Sequence, residues 1–157
     1  MFREMRRKDR QMDDARSREV LRNGEWGVLS TTGVNGYAYG VPLHYVYQDD
    51  HIYFHCAPEG SKLVNIAQNN RVSFCVVGKS ELQPEQFTCF FESVIVFGRA
   101  SEVEGEEKLA ALAGFMQKYS APFLEKGLEY IQRNQDRARV YKISIEQITG
   151  KERSQLR

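Results

Sequence analysis

Tyr53-Phe54-His55-Cys56-Ala57-Pro58-Glu59-Gly60-Ser61-Lys62-Leu63 is the stretch that decides how this chain is read. A strand pattern that begins at His51-Ile52 ends at Cys56. Pro58 and Gly60 punctuate a turn. Leu63, Ile66 and Ala67 then recur at helical spacing, and Asn69-Asn70 stops the helix. Ser61 and Lys62 therefore fall in the first helical turn. Backbone N–H groups there have no partner inside the helix, and the aligned peptide dipoles add roughly half a positive charge. An anion, most simply a phosphate, would be held at such a point. Equally, the serine can cap the helix and the lysine can be solvated. The GxxxxGK[ST] pattern of a P-loop is absent.

Upstream, Asp13 or Asp14 can cap a short helix that ends near Arg22, with Asn23-Gly24 as its stop. Trp26 to Thr32 reads as a strand, Gly33 to Gly36 as a hairpin turn, and Tyr37 to Tyr47 as a second strand. Pro42, within Gly40-Val41-Pro42-Leu43-His44-Tyr45, cannot donate a ladder hydrogen bond, so that strand is an edge or irregular. Its unpaired backbone groups need another partner, which a flat ring carrying donors and acceptors could supply. Downstream, Arg71 to Val77 is a strand and 78–84 a loop. Phe87 to Val103 is a long strand in which Gly98 marks a bulge or close approach. Glu106 to Tyr119 is a helix with Leu109, Leu112, Ala113 and Met116 on one stripe, and Pro122 opens another toward Asn134. Arg139 to Gln147 alternates as the last strand, leaving 1–12 as a polar leader and 148–157 as a tail. The expectation is one mainly β domain spanning 1–157: a six-stranded antiparallel barrel with short helices.

Composition narrows the function. The 157 residues include 22 Lys+Arg and 21 Asp+Glu, a net charge of +1, which argues against a nucleic-acid binder. No apolar run approaches the roughly 20 residues of a membrane span, and no secretory segment opens the chain. Cys56, Cys75 and Cys89 are odd in number and lack CxxC spacing, as expected of reduced thiols in a cytoplasmic protein. His44, His51 and His55 lie close in sequence, but His51 follows the Gln48-Asp49-Asp50 turn and is expected to face solvent, so no metal is expected. There is no GxSxG, no nucleophile triad and no pair of carboxylates, so a bound cofactor would carry any chemistry.

Several of these pieces, taken in order, resemble a known family. They are Met5-Arg-Arg-Lys-Asp-Arg10, Gly27-Val-Leu-Ser30, Gly40 to Tyr45, Tyr53 to Ala57 with Gly60-Ser-Lys62, Glu92 to Arg99, and Thr149-Gly-Lys151. Together they resemble the FMN-binding split β-barrel family related to pyridoxamine 5′-phosphate oxidase, and within it the nitroimidazole-resistance (Nim-type) branch. The resemblance implies a homodimer with two FMN sites at its interface. It implies that Lys62, helped by Ser61, holds the phosphate, and that Val41, Pro42, Leu43 and His44 line the ring edge. Phe54, His55 and Cys56 would lie along the ribityl chain and ring, Ser93 would be a polar contact, and Lys151 would reach the cofactor within its own subunit or across the dimer. His55 is the implied catalytic residue. Pyridoxamine-phosphate oxidases carry an arginine where this chain has Ser61, and a C-terminal Trp where this chain has its only tryptophan at Trp26, which argues against vitamin B6 oxidation. The implied activity passes electrons from a reduced nicotinamide or another donor to a small oxidant such as a nitroaromatic. A non-catalytic flavin module, sensor or carrier, is the alternative.

Overall fold

The fold is given by a computed structural model, which describes residues 2–154. In chain order the elements are β1 (Gln11–Met12), α1 (Asp14–Asn23), β2 (Trp26–Thr32), β3 (Ala38–His44), β4 (Val46–Gln48) and β5 (His51–Cys56). They continue with α2 (Ser61–Gln68), β6 (Arg71–Gln83), β7 (Thr88–Val103), α3 (Gly105–Tyr119), α4 (Leu124–Asn134) and β8 (Arg139–Arg153). Asp13 caps α1 by accepting the Arg16 N–H at 2.7 Å, as its sequence signal indicates.

All strand pairs are antiparallel, in the order β3-β2-β6-β7-β8-β5-β4, with β1 added to β8. The fold is the split β-barrel type. Several boundaries differ from the sequence reading. The expected strand 37–47 breaks at Tyr45 into β3 and β4. The expected loop 78–84 mostly continues β6 as far as Gln83, after a register shift between Val77 and Ser80. The leader contributes β1, and most of the tail continues β8; residues 155–157 lie outside the described residues. Eight strands replace six because the break at Tyr45 divides one expected strand and the leader pairs as β1, while the tail only lengthens β8.

The barrel interior is apolar and filled. Leu29, Phe54, Phe74, Val76, Val94, Val96 and Ile143 are fully buried there, joined by Leu21 of α1 and Leu63 and Ile66 of α2. A second cluster seats α3 and α4 on the outside of β4, β5 and β8, using Ala111, Leu112, Phe115 and Ile131 against Val46, Tyr53 and Val140. The buried stripe of α3 is therefore rotated from the expected one, and Leu109 is exposed. The expected helical contacts placed Leu109 inward because apolar periodicity does not by itself choose among overlapping stripes.

The pairing of β8 with β7 gains one residue, Glu146, opposite the Phe97–Gly98 step, a bulge between the part of β8 paired with β5 and the part paired with β1. Gly98 allows the close approach: a Cβ there would lie 2.3 Å from the Ser144 carbonyl oxygen and 2.8 Å from Ile143 Cγ2. Gly98→Ala is expected to lower stability by about 1–3 kcal/mol, read as a drop in the urea unfolding midpoint. An unchanged midpoint would show that β8 is free to step away at this bend.

Candidate functional site

The β5–α2 junction forms as the sequence suggests. Gly60 occupies the N-cap with φ +139°, a conformation suited to glycine, and its carbonyl accepts the Leu63 N–H at 3.0 Å. Ser61 is the first helical residue, and no side chain caps the helix. The N–H groups of Ser61 and Lys62 thus point out of the helix start, with an exposed hydroxyl and a half-buried ammonium beside them. Cys56, half-buried at the end of β5, has its thiol pKa pushed up by burial, while Lys62 and Arg139 pull the other way. Arg139 stands opposite Cys56 in the ladder, is paired with Glu102, and donates to the Pro58 carbonyl at 3.3 Å.

β3 ends the strand order, so one of its edges has no partner among the described residues, and Pro42 lies on that strand. Val41 and Leu43 turn toward the core, while Pro42 and His44 face outward. The break after β3 is held by α3. The Tyr119 hydroxyl accepts the Tyr45 N–H at 3.1 Å and lies 2.6 Å from the Tyr45 carbonyl. Lys118 Nζ donates to the carbonyls of Gly24 (2.6 Å) and Tyr45 (3.0 Å). Burial lowers the Lys118 pKa to about 8 against a smaller opposing pull from Glu25.

This clamp brings His44 and His55 to one cavity of about 200 Å³, closed by Phe115, Met116, Tyr119 and Ser120 of α3 and the turn that follows it. His44 meets Tyr119 edge-on at 5.1 Å, and His55 meets Phe115 edge-on at 4.8 Å. His55 is exposed at its outer rim, yet packing strips enough water from the imidazole to lower its pKa from 6.5, with His44 adding in the same direction. Phe54 does not share this surface. Its side chain is fully buried and stacks on Tyr141 at 5.6 Å, so strand alternation leaves only its backbone available to a ligand.

Ser93 and Lys151 lie elsewhere. They face each other across β7 and β8 and line a separate cavity of about 230 Å³ with Arg3, Met5, Ile95, Phe97, Gln147 and Thr149. His44 on β3 is separated from Ser93 on β7 by β2 and β6, three inter-strand steps or roughly 14 Å of sheet. The expected site residues therefore fall on two separate surfaces of one chain, two candidate half-sites. Sequence reasoning missed Phe115 and Tyr119, although their i, i+4 aromatic spacing was a usable signal, and it missed Arg139 and Gln147, which only strand pairing brings into place. It also missed the largest described cavity, about 610 Å³, lined in part by Ser30, Thr32, Arg71, Ser73, Phe97 and Arg99.

A histidine whose folded pKa is lowered costs stability once the unfolded chain begins to protonate. That cost is absent well above pH 6.5, grows as pH falls through 6.5, and is complete below the folded pKa. The His55 ring resonance is expected to titrate with a midpoint below 6.5 in an NMR pH series. His44→Gln is expected to move it upward without restoring 6.5, because burial is the larger cause. A midpoint at or above 6.5 in the unmodified protein would contradict this packing.

Comparison with known proteins agrees with this architecture. The profile of the pyridoxamine 5′-phosphate oxidase family matches residues 13–152. A crystal structure of a candidate 5-nitroimidazole antibiotic resistance protein from Bacteroides thetaiotaomicron is similar with TM-score 0.71 and 25% identity, over 90% of this chain and 85% of that one. An FAD-binding protein from Mesorhizobium loti is similar with TM-score 0.66 and 26% identity, over 92% of this chain and 98% of that one. A conserved hypothetical protein from Mycobacterium tuberculosis shares the fold, with TM-score 0.81 and 19% identity over 95% of this chain and 90% of that one. Among curated proteins none matches in sequence. The match across residues 13–152, carried on a split barrel with an open Pro42 edge and Lys62 at a helix start, places the chain in the pyridoxamine 5′-phosphate oxidase family.

Proposed function

We propose that the chain binds FMN as a homodimer, with each cofactor between the two copies, and passes electrons from a reduced nicotinamide or another donor to a small oxidant such as a nitroaromatic. The observation that carries this reading is Lys62. It is half-buried on the first turn of α2, forms no ion pair among the described residues, and stands next to the strand that delivers His55. Relatives that bind flavin, such as the M. loti protein, support the cofactor class.

The donor set fits a phosphate and a ring. Lys62, the Ser61 hydroxyl and the α2 N–H groups offer charge-assisted hydrogen bonds to a dianion. Val41, Pro42 and Leu43 present an open backbone edge, and His44 stands at its end. Cys56 stays protonated because burial raises its pKa, so it packs as a small apolar group. A bound flavin would supply reversible electron uptake, which no side chain here provides. His55, neutral above its lowered pKa, can hold or release a proton at the wall of the cavity it shares with His44, where Phe115 and Tyr119 pack edge-on against the two imidazoles.

The two half-sites motivate the dimer. Ser93 and Lys151 are too far from His44 to serve the same ring within one copy, whereas a second copy laid against the outer face of β2, β6 and β7 can present them. Exposed Trp26, Val77, Ile95 and Phe97 give that face an apolar character suited to a partner.

Freshly purified protein, or protein mixed with FMN, is expected to absorb near ~450 nm, as oxidised flavin does. Lys62→Ala is expected to weaken FMN binding roughly 10-fold to 100-fold, the worth of a charge-assisted contact. Protein that takes up no FMN would refute the reading, and an unchanged dissociation constant in the variant would place the phosphate elsewhere. Light scattering is expected to give twice the 18.2 kDa chain mass, and a monomer with full FMN occupancy would exclude an interfacial site. Stopped-flow mixing with NADH and NADPH tests turnover: flavin that neither reduces would make the chain a carrier or sensor.

A further inference from the structure

Along the outward face of β7 and β8, Gln147 stands opposite Phe97, Thr149 opposite Ile95, and Lys151 opposite Ser93. Alternate residues of a strand share a face, so these side chains form two adjacent rows, polar on β8 and largely apolar on β7. Arg3 and Met5 close over them to leave the cavity of about 230 Å³. Gln147 Oε1 is buried and has no hydrogen-bond partner. Native proteins pair such an acceptor with protein, water or ligand, because leaving it alone is costly. The neighbouring Thr149 hydroxyl is directed at the Ile95 carbonyl, 3.4 Å away. Lys151 lies over the Phe91 ring at 5.6 Å and makes no ion pair among the described residues.

The cavity thus offers one unmet acceptor in Gln147 above an apolar floor of Ile95 and Phe97, with the donors Ser93 and Lys151 together at its other end, four residues along β8. Its complement is the edge of a flat ring that carries an N–H, and the imide N3–H is the one such group on the ring of oxidised flavin. Its size admits one end of a tricyclic ring, not a whole nucleotide.

We propose that Gln147 is a cofactor-binding residue whose Oε1 accepts the imide N3–H of the flavin ring. This rests on the FMN reading above and adds to it which end of the ring enters the β7–β8 cavity. The separation of the half-sites assigns that ring to the FMN whose phosphate is held by Lys62 of the second copy. Gln147 then selects flavins with a free imide.

The test compares FMN with FMN methylated at N3, titrated into the unmodified protein and into Gln147→Met by fluorescence quenching. Methylation is expected to weaken binding to the unmodified protein roughly tenfold, the worth of one hydrogen bond to an otherwise stranded acceptor. Gln147→Met is expected to bind FMN with a similar loss and to discriminate little between the two flavins. Equal affinity of the unmodified protein for both compounds overturns the proposal, as does an undiminished methylation penalty in the variant. Failure of the unmodified protein to bind either flavin refutes the FMN reading itself, a separate result. Without flavin, Gln147→Met is expected to melt no lower than the unmodified protein, since an unpaired acceptor gives way to an apolar chain of equal length. A lower melting temperature counts against an unmet acceptor. Should that variant not fold, the two titrations of the unmodified protein decide alone.

Discussion

The pairing of β8 with β7 is the constraint on which the molecule turns. It runs from Val140 to Arg153 and is interrupted once, where Glu146 is added opposite Phe97 and Gly98. On its other edge β8 pairs with β5 over Arg139 to Ser144 and with β1 at Gly150 and Lys151. The inserted Glu146 bends β8 between the part paired with β5 and the part paired with β1. The missing side chain of Gly98 supplies the clearance. Everything near the candidate site inherits its position from this bend: β5 carries His55 and Cys56, and the far half of β8 carries Gln147 and Lys151.

A second dependence runs through Tyr45. Its side chain is fully buried and its hydroxyl donates to the Leu21 carbonyl at 2.5 Å, so β3 and β4 cannot be one continuous edge there. The backbone groups released by the break are met by Tyr119 and Lys118 from α3. The interruption that ends β3 is thus also the contact that seats α3. It places Phe115 and Tyr119 against the two histidines, and it holds His44 at the end of an edge that would otherwise fray.

Much of this was legible in the sequence, and the boundary of what was legible is physical. Asn35-Gly36, Asp13, Pro42 and the Gly60-Ser61-Lys62 step act locally, through turn conformation, capping and missing donors, and each was readable from its neighbours alone. Gly98 announced a close approach, though not that the inserted residue sits on the opposite strand. Pairing across the sheet was not readable. The strand character of 148–153 and of Gln11–Met12 exists because these segments pair with others distant in sequence. The same limit hid Arg139 beside Cys56 and Gln147 beside Ser93. The Phe54 side chain turns away from the cavity for a simpler reason. It neighbours His55, and in a strand neighbours point to opposite faces, so one inward residue implied one outward. The family resemblance supplied a set of candidate site residues, which the structure divides between two surfaces.

That division follows from how full the barrel is. Leu29, Phe54, Phe74, Val76, Val94, Val96 and Ile143 leave no interior space for a ligand, so any cofactor must lie on the outside. Outside, α3 and α4 cover only the β4, β5 and β8 side. The β2, β6 and β7 side keeps Trp26, Val77, Ile95 and Phe97 exposed by 50%, 56%, 42% and 38%. A flat cofactor resting on a sheet has one face in contact and the other in water, which is a poor way to exclude solvent from electron transfer. A second wall solves that difficulty, and the same wall would remove the exposed apolar side chains from water. The chain has no further element to build it from among the described residues. In the proposed dimer a second copy would be self-complementary by symmetry and would bring Ser93, Gln147 and Lys151 with it. The hydrophobic surface and the division of the candidate residues both fit the proposed dimer, and Ile95 and Phe97 belong to both.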